Sequence, residues 1–508
     1  MSLARTWAVA VLGVTGRMVR IEADLGQGLP TFTLGGLPDA ACAQAPDRVR
    51  AAAVNSGIPL PSRRLVVNLS PADLRKRGTG FDLGIALAAL AAAGALPAEA
   101  VDGVAHLGEL GLDGQVRPVP GVLPAVLAAR AAGVERVVVP RESLVLAGQV
   151  NGVEIIGVGS LAELVEDYRE HGRPLGRAAP APAPEPPVEV PCLSEVVGQE
   201  AAKNALEVAA AGGHHLLLHG APGTGKTMLA SRLPGLLPEL TDEQALELAA
   251  VESVLDPEAS RLTRTPPFIA PHHSSSTSAL VGGGSRTARP GAVSRALHGV
   301  LFLDEAAELR RDALEALRQP LEEGRVVLLR AEGAVELPAR FQLVVAVNPC
   351  PCGRGGRRVV RGRACECSPV VRRNYAKRLS GPIRDRIDLQ VEMEPVSELW
   401  GTERVRETSA RVAERVAVAR ERQRHRWREH PWVLNAHVPG SVLRRGEHAV
   451  PASALSPLED AHRAGVLSAR GVDRVLRVAL TLADLEGAAA VDGGHLGRAL
   501  SLRGEEAA

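Results

Sequence analysis

Over the first 172 residues, apolar positions come in short runs broken by charged or Gly- and Pro-rich turns. Residues 64–68 (RLVVN) form one such run, the pattern of a buried strand. Residues 135–139 (ERVVV) form another, closed by Pro140. Residues 81–96 and 120–132 carry apolar positions at helical spacing. Strands alternating with helices specify an α/β domain. After a Pro-rich interval the pattern resumes with a short apolar strand at 216–219, a Gly-rich turn and a helix, then apolar strands at 299–303 and 343–347. Runs that are apolar throughout fit parallel strands covered on both faces. Beyond about residue 396 strand signals fade. A long helix is predicted over 405–428, with charges around most of its surface that read as solvated, an amphipathic one over 468–486 and a last one over 495–503.

The interval 173–191 (RPLGRAAPAPAPEPPVEVP) holds seven prolines and favours extended chain that cannot join a core. It divides an N-terminal α/β domain (1–172) from an α/β core with a parallel sheet (192–395) and a helical lid (396–508). A length of 508 residues agrees with several domains. Lys+Arg total 59 against 58 Asp+Glu, so the whole molecule has no pull on nucleic acid or anionic membrane, and such binding needs local patches. Aromatics are 2%, which argues against a base-stacking platform. The longest uncharged stretch that looks membrane-like, 83–98, has 16 residues with Gly and Pro inside. It is too short to span a bilayer and reads as a buried helix. Residues 7–14 are apolar, but Arg17 and Arg20 follow and no cleavage signal stands out. A cytoplasmic protein with no membrane partner is expected.

The chemistry begins at Gly220-Ala221-Pro222-Gly223-Thr224-Gly225-Lys226-Thr227, which fits G-x-x-x-x-G-K-T/S between a strand and a helix. In such a loop the backbone N–H groups wrap phosphates and the helix start adds positive dipole. Lys226 reaches the β/γ-phosphates, and the Thr227 hydroxyl binds Mg²⁺. About 80 residues on, the strand 300–303 ends in Asp304 and Glu305. Asp304 is expected to hold Mg²⁺ and Glu305 to act as general base on the attacking water. The strand 343–347 ends in Asn348, which either orients that water or merely starts the turn at Pro349. Four of the six cysteines form two C-x-C pairs, Cys350/Cys352 and Cys365/Cys367. Four thiolates make a structural Zn²⁺ site, with free thiols or a disulfide as the other readings. Residues 354–378 hold nine Lys/Arg and one acid, Glu366. This stretch is either a phosphate-backbone contact for DNA or a solvated loop.

These spacings resemble an AAA+ ATPase of the magnesium-chelatase-like branch, and specifically the ComM/YifB family. The segments that carry the likeness are PHHSSSTSALVGGG (271–284), RPG (289–291), HGVLFLDE (298–305), LRQPLEEG (317–324), ARFQLVVAVNPCPCG (339–353), SGPIRDRIDL (380–389) and LSARGVDRVLRVALTLADL (467–485). In the N-terminal part GLPDAACAQAPDRVRAAAVNSG (36–57), NLSPADLRKRGTGFDLGIAL (68–87) and GELGLDGQVRPVPGVLPAV (108–126) agree as well. The resemblance implies a ring, a hexamer of this chain, with ATP and Mg²⁺ between subunits. Arg386 matches the arginine finger lent by a neighbour, and Arg470 the sensor arginine of the lid. Family members carry a similar Cys cluster. His272 and His273 fall in an insert facing the ring channel and are not expected to be catalytic. The chain departs from the family pattern at Ala292, Leu480 and Gly84, none of them in the phosphate loop or the acidic pair.

The N-terminal part also resembles the proteolytic domain of Lon. Such a protease needs Ser beside Lys. Gly80 or a near neighbour, and no serine, stands where the nucleophile belongs, and Ser70, near Lys76, reads as a helix cap before Pro71. No peptidase activity is expected. The family resemblance implies a DNA motor driving branch migration during natural transformation or recombination. A protein-remodelling ATPase and a magnesium-chelatase-type metal-insertion motor are the rival readings.

Overall fold

The computed structural model describes residues 3–175, 190–259, 261–284, 288–330, 333–355, 365–379, 381–396, 406–445 and 448–503. Most of the Pro-rich interval therefore lies outside the described residues, as do the start of the charged helix at Val405 and the centre of the basic stretch, 356–364.

The N-terminal part is built on a seven-stranded mixed sheet. Its strand order is Thr31–Gly35, Arg64–Ser70, Thr15–Gly26, Leu3–Leu12, Val104–His106, Arg136–Pro140, Glu154–Val158. Leu3–Leu12 and Thr15–Gly26 form an antiparallel hairpin, and the apolar residues 7–14 are part of it. The helix Asp82–Ala92 is buried along its whole length, which its lack of a polar face requires. Its one charge, Asp82, receives two hydrogen bonds from Arg48 at 2.7 and 2.9 Å. Ser70 is the last residue of its strand rather than a helix cap, because no helix begins until Asp82. The predicted helix at 120–132 is Val122–Ala131, with Gly121 before it in left-handed backbone.

The second part is an α/β layer on a five-stranded, all-parallel sheet. Its order is Phe268–Ile269, Val300–Leu303, Gln342–Val347, Leu216–Gly220, Leu389–Met393. The inner strands are apolar on both faces because helix Glu200–Gly212 and the lid cover one side, while the segment 280–317 and the hairpin of Arg325–Arg330 with Gly333–Pro338 cover the other. The chain thus has the α/β fold with a parallel sheet that its sequence pattern predicts.

The lid contains the helices Ser409–Arg426, Ala469–Glu486 and Gly493–Ser501. The first was expected to be charged around most of its surface. Instead, Val412, Val416, Ala419 and Gln423 form a buried stripe. Its arginines are tied down: Arg415 to Glu207 at 2.6 Å, Arg420 to the Ala210 carbonyl at 2.7 Å, and Arg426 to Asp484. Ala292 and Leu480 are buried among apolar neighbours.

The two parts touch directly. The Gly121 N–H donates to the Ser253 carbonyl at 2.8 Å, and Ala249 and Ala250 pack into the cluster around Val122 and Val126. Among the described residues no helix is long and apolar enough to cross a membrane.

Candidate active site

The strand Leu216–Gly220 runs into the loop, which turns into the helix Lys226–Ala230. Gly223 and Gly225 sit at φ +81° and +90°, backbone that side chains rarely adopt. A Cβ on Gly220 would lie 2.5 Å from the Met393 carbonyl oxygen, whereas one on Gly223 would meet nothing within 4 Å. The loop is therefore closed at its root and open at its mouth. Thr224 closes it from inside, its hydroxyl donating to the Ala221 carbonyl at 2.9 Å. The helix has only five residues, so its dipole adds less than a full-length helix would.

Lys226 is 7% exposed. Its Nζ donates to the carbonyls of Gly220 (2.7 Å) and Ala221 (3.0 Å) and to Asn348 Oδ1 (3.1 Å). Burial pulls its ammonium below the usual lysine range, and Asp304 and Glu305 act in the opposite sense. The Thr227 hydroxyl donates to Asp304 Oδ2 at 2.7 Å, and the Glu305 N–H donates to Asp304 Oδ1 at 2.9 Å. Glu305 has φ +47° and leaves its carboxylate half exposed. An ammonium, a hydroxyl, two carboxylates and a carboxamide thus converge at the C-terminal ends of three adjacent parallel strands, where such sheets take their ligands. The donors suit a triphosphate, and the hard oxygens of Thr227 and Asp304 suit Mg²⁺.

One neighbour was not expected. His273 Nδ1 lies 3.6 Å from Glu305 Oε2, with the His272 ring 4.1 Å from that of His273. The sequence signal was the His pair itself, directly after the edge strand Phe268–Ile269, which pairs with Val300–Leu303.

Arg386 is far from this site in its own chain. Leu216 pairs with Leu389 and Gly220 with Met393, so Arg386 lies before the start of its strand while the phosphate loop follows the end of the neighbouring one. The strand alone separates them by roughly 15 Å. Arg386 is 7% exposed and pairs with Glu322. Arg470 is exposed and one helical turn before Arg474, which bonds Asp388. Arg386 therefore belongs to the end of the sheet opposite the phosphate loop, and Arg470 stands one helical turn from the residue that bonds Asp388 at that end.

The Sγ atoms of Cys350, Cys352, Cys365 and Cys367 all lie within 4.8 Å of one another. Cys350 is 3.2 Å from Cys352 and 3.6 Å from Cys365, and Cys352 is 3.7 Å from Cys365. Four thiolates at the usual Zn–S bond length stand ~3.8 Å apart, so the set fits tetrahedral Zn²⁺. The Gly355 N–H donates to Cys350 Sγ at 3.2 Å, as suits a thiolate. The cluster adjoins the phosphate loop: a Cβ on Gly353 would lie 2.6 Å from the Pro222 ring. Of the basic stretch, Arg378 pairs with Glu308 at 2.7 Å.

At the Lon-like position, a Cβ on Gly80 would touch Val119 at 3.7 Å, and the Thr79 hydroxyl donates to Glu109. Lys76 is fully buried and donates to the Pro71 carbonyl.

Comparison with known proteins agrees along the chain. Residues 192–399 match the family described as magnesium chelatase, subunit ChlI. Residues 21–143 match subunit ChlI of Mg-chelatase, and residues 406–503 its C-terminal region. An uncharacterised protein of Mycobacterium tuberculosis (strain H37Rv) is 49% identical over 506 residues, 99% of each chain. The uncharacterised protein YifB of Escherichia coli K12 is 40% identical over 99% of this chain and 97% of its own. The competence protein ComM of Haemophilus influenzae is 41% identical over 99% and 98%.

Proposed function

From its membership in the ComM/YifB family of magnesium-chelatase-like AAA+ proteins, we propose that this chain is a Mg²⁺-dependent ATPase working as a ring motor on DNA. The observation that carries the reading is the split of the machinery. Lys226, Thr227, Asp304, Glu305 and Asn348 meet at one end of the sheet, and Arg386 lies before the start of its strand at the other, with Arg470 one helical turn from the residue that bonds Asp388. One copy holds half a site, and a head-to-tail ring joins the halves.

In this reading the loop N–H groups and Lys226 hold the β/γ-phosphates, and Thr227 with Asp304 holds Mg²⁺, which neutralises charge on the phosphoryl oxygens. Glu305 takes the proton of the attacking water, Asn348 orients it, and His273 steadies the Glu305 carboxylate from outside. Arg386 of the next copy, released from Glu322, stabilises the transferring phosphoryl group, and Arg470 joins it. The four cysteines would hold Zn²⁺, which would tie Cys350 and Cys352, beside the Gly353–Pro222 contact, to Cys365 and Cys367. The part before the Pro-rich interval supports assembly and has no peptidase activity.

DNA as the partner rests on the basic stretch 354–378 beside Asn348 and on the competence role in the name of the Haemophilus relative. The test is ATP turnover with single-stranded, branched and duplex DNA, alongside a strand-exchange assay. Stimulation and strand movement are expected. Stimulation by unfolded polypeptide with DNA inert would instead make the protein a remodelling ATPase.

A further inference from the structure

Behind the split site lies a buried charge cluster that the reaction scheme leaves unused. Asp388 stands one residue before the strand Leu389–Met393 and is 2% exposed. Its Oδ1 accepts from Arg474 Nη1 at 2.5 Å, and its Oδ2 accepts from the His215 N–H at 2.9 Å. His214 Nδ1 is 3.8 Å from Oδ2, and His214 Nε2 pairs with Thr481 Oγ1 at 2.8 Å. Burial alone would raise the Asp388 carboxyl. Arg474, His214 and His215 more than offset this and hold it well below the usual carboxylate range. The same segment is tied to the end of the chain: Arg503 donates to the Ile387 carbonyl at 3.2 Å, and the Gln390 N–H donates to the Leu502 carbonyl at 2.7 Å.

One carboxylate therefore joins the edge strand Leu389–Met393 and its neighbour Leu216–Gly220 to the lid helix Ala469–Glu486. Arg386 is two residues before it, and Arg470 is one turn before its partner Arg474. We infer that the Asp388–Arg474 pair is the strut that sets the spacing of the two arginines lent to the neighbouring copy, so that Asp388 is a positioning residue for catalysis in trans. A charge pair this deep is a weak source of stability, yet breaking it leaves an uncompensated buried charge, so what it supplies here is geometry. The inference rests on the split-site reading above.

Mixed rings test it. Lys226→Ala gives protomers with a dead cradle and sound arginines. Asp388→Asn gives protomers with a sound cradle and misplaced arginines. Each variant alone is expected to turn over slowly, with Asp388→Asn binding a fluorescent ATP analogue like wild type. An equal mixture pairs sound halves at about one interface in four and recovers turnover accordingly. Arg474→Met should complement in the same way, and Asp388→Glu should restore part of the rate on its own. A mixture of Lys226→Ala with Arg386→Ala is the control for the split site, and its failure to recover overturns that reading together with this one. If the control recovers and neither the Asp388→Asn nor the Arg474→Met mixture does, or if Asp388→Asn alone runs at the wild-type rate, the strut is overturned and the split site stands.

Discussion

Replacing Glu305 with Gln exchanges one carboxylate oxygen for an amide nitrogen and keeps the side chain's shape. The structure separates what is lost from what is kept. The Glu305 N–H bond to Asp304 comes from the backbone and survives, as does the Thr227–Asp304 contact. Lys226 keeps its three acceptors. Removing a negative charge near Lys226 does not weaken its attraction for phosphate, so ATP affinity should hold. What disappears is the proton acceptor. Positioned general bases contribute about 10²–10⁴-fold, so kcat should fall by that factor, a barrier increase of about 3–5 kcal/mol. Steady-state phosphate release and equilibrium binding of an ATP analogue measure the two quantities separately. Glu305→Gly adds a control, because a residue at φ +47° stores ~1–2 kcal/mol that glycine does not. That variant should melt higher while remaining inactive. Wild-type turnover in Glu305→Gln, or loss of binding in step with turnover, would remove Glu305 from the role of base.

Purified protein should carry one Zn²⁺ per chain by elemental analysis. Cys365→Ser should lose the metal, and chelation should weaken ATP binding through the Gly353–Pro222 contact. Full retention of metal by Cys365→Ser would refute the four-thiolate site. Gly353→Ala, at φ +71° with its new Cβ 2.6 Å from Pro222, should cost ~1–2 kcal/mol of stability and loosen ATP binding; an unchanged melting curve contradicts it. Burial lowers the His106 ring to about 3 from its ordinary 6.5, and the His215 ring to about 4. Between those values the unfolded chain binds protons that the folded chain does not. Stability is therefore full above pH 6.5 and falls on acidification by about 1.4 kcal/mol per pH unit for each ring. His106→Gln should flatten the lower part of the stability–pH curve measured by urea unfolding.

The phosphate loop, the acidic pair and the cysteine pairs were legible in the sequence because each is a local constellation whose spacing carries its own chemistry. The three inner strands of the parallel sheet were legible because they are apolar on both faces. The hairpin Leu3–Leu12/Thr15–Gly26 was missed. Burial alternates along Thr15–Gly26, but Leu3–Leu12 has Ala8, Val9 and Ala10 buried in a row, so the two strands share no single period. Ser70 looked like a cap because Ser before Pro is an ordinary helix start, and only pairing with Arg20 reveals a strand end. The charges of Ser409–Arg426 looked solvated because their partners, Glu207, Ala210 and Asp484, lie far away in the chain. The placement of Arg386 and Arg470 was beyond any local pattern. It depends on residue 389 lying beside 216 and residue 474 beside 388. His273 was set aside for the same reason, since only the neighbouring strand brings it to Glu305.

If each site needs two copies, ATP turnover per chain must depend on how many chains have met. Turnover measured across a wide dilution series, at saturating ATP and Mg²⁺, should collapse toward zero at low concentration and rise steeply to a plateau as copies associate. A rate per chain that stays constant down to dilutions where light scattering sees single chains would mean that one copy hydrolyses ATP unaided.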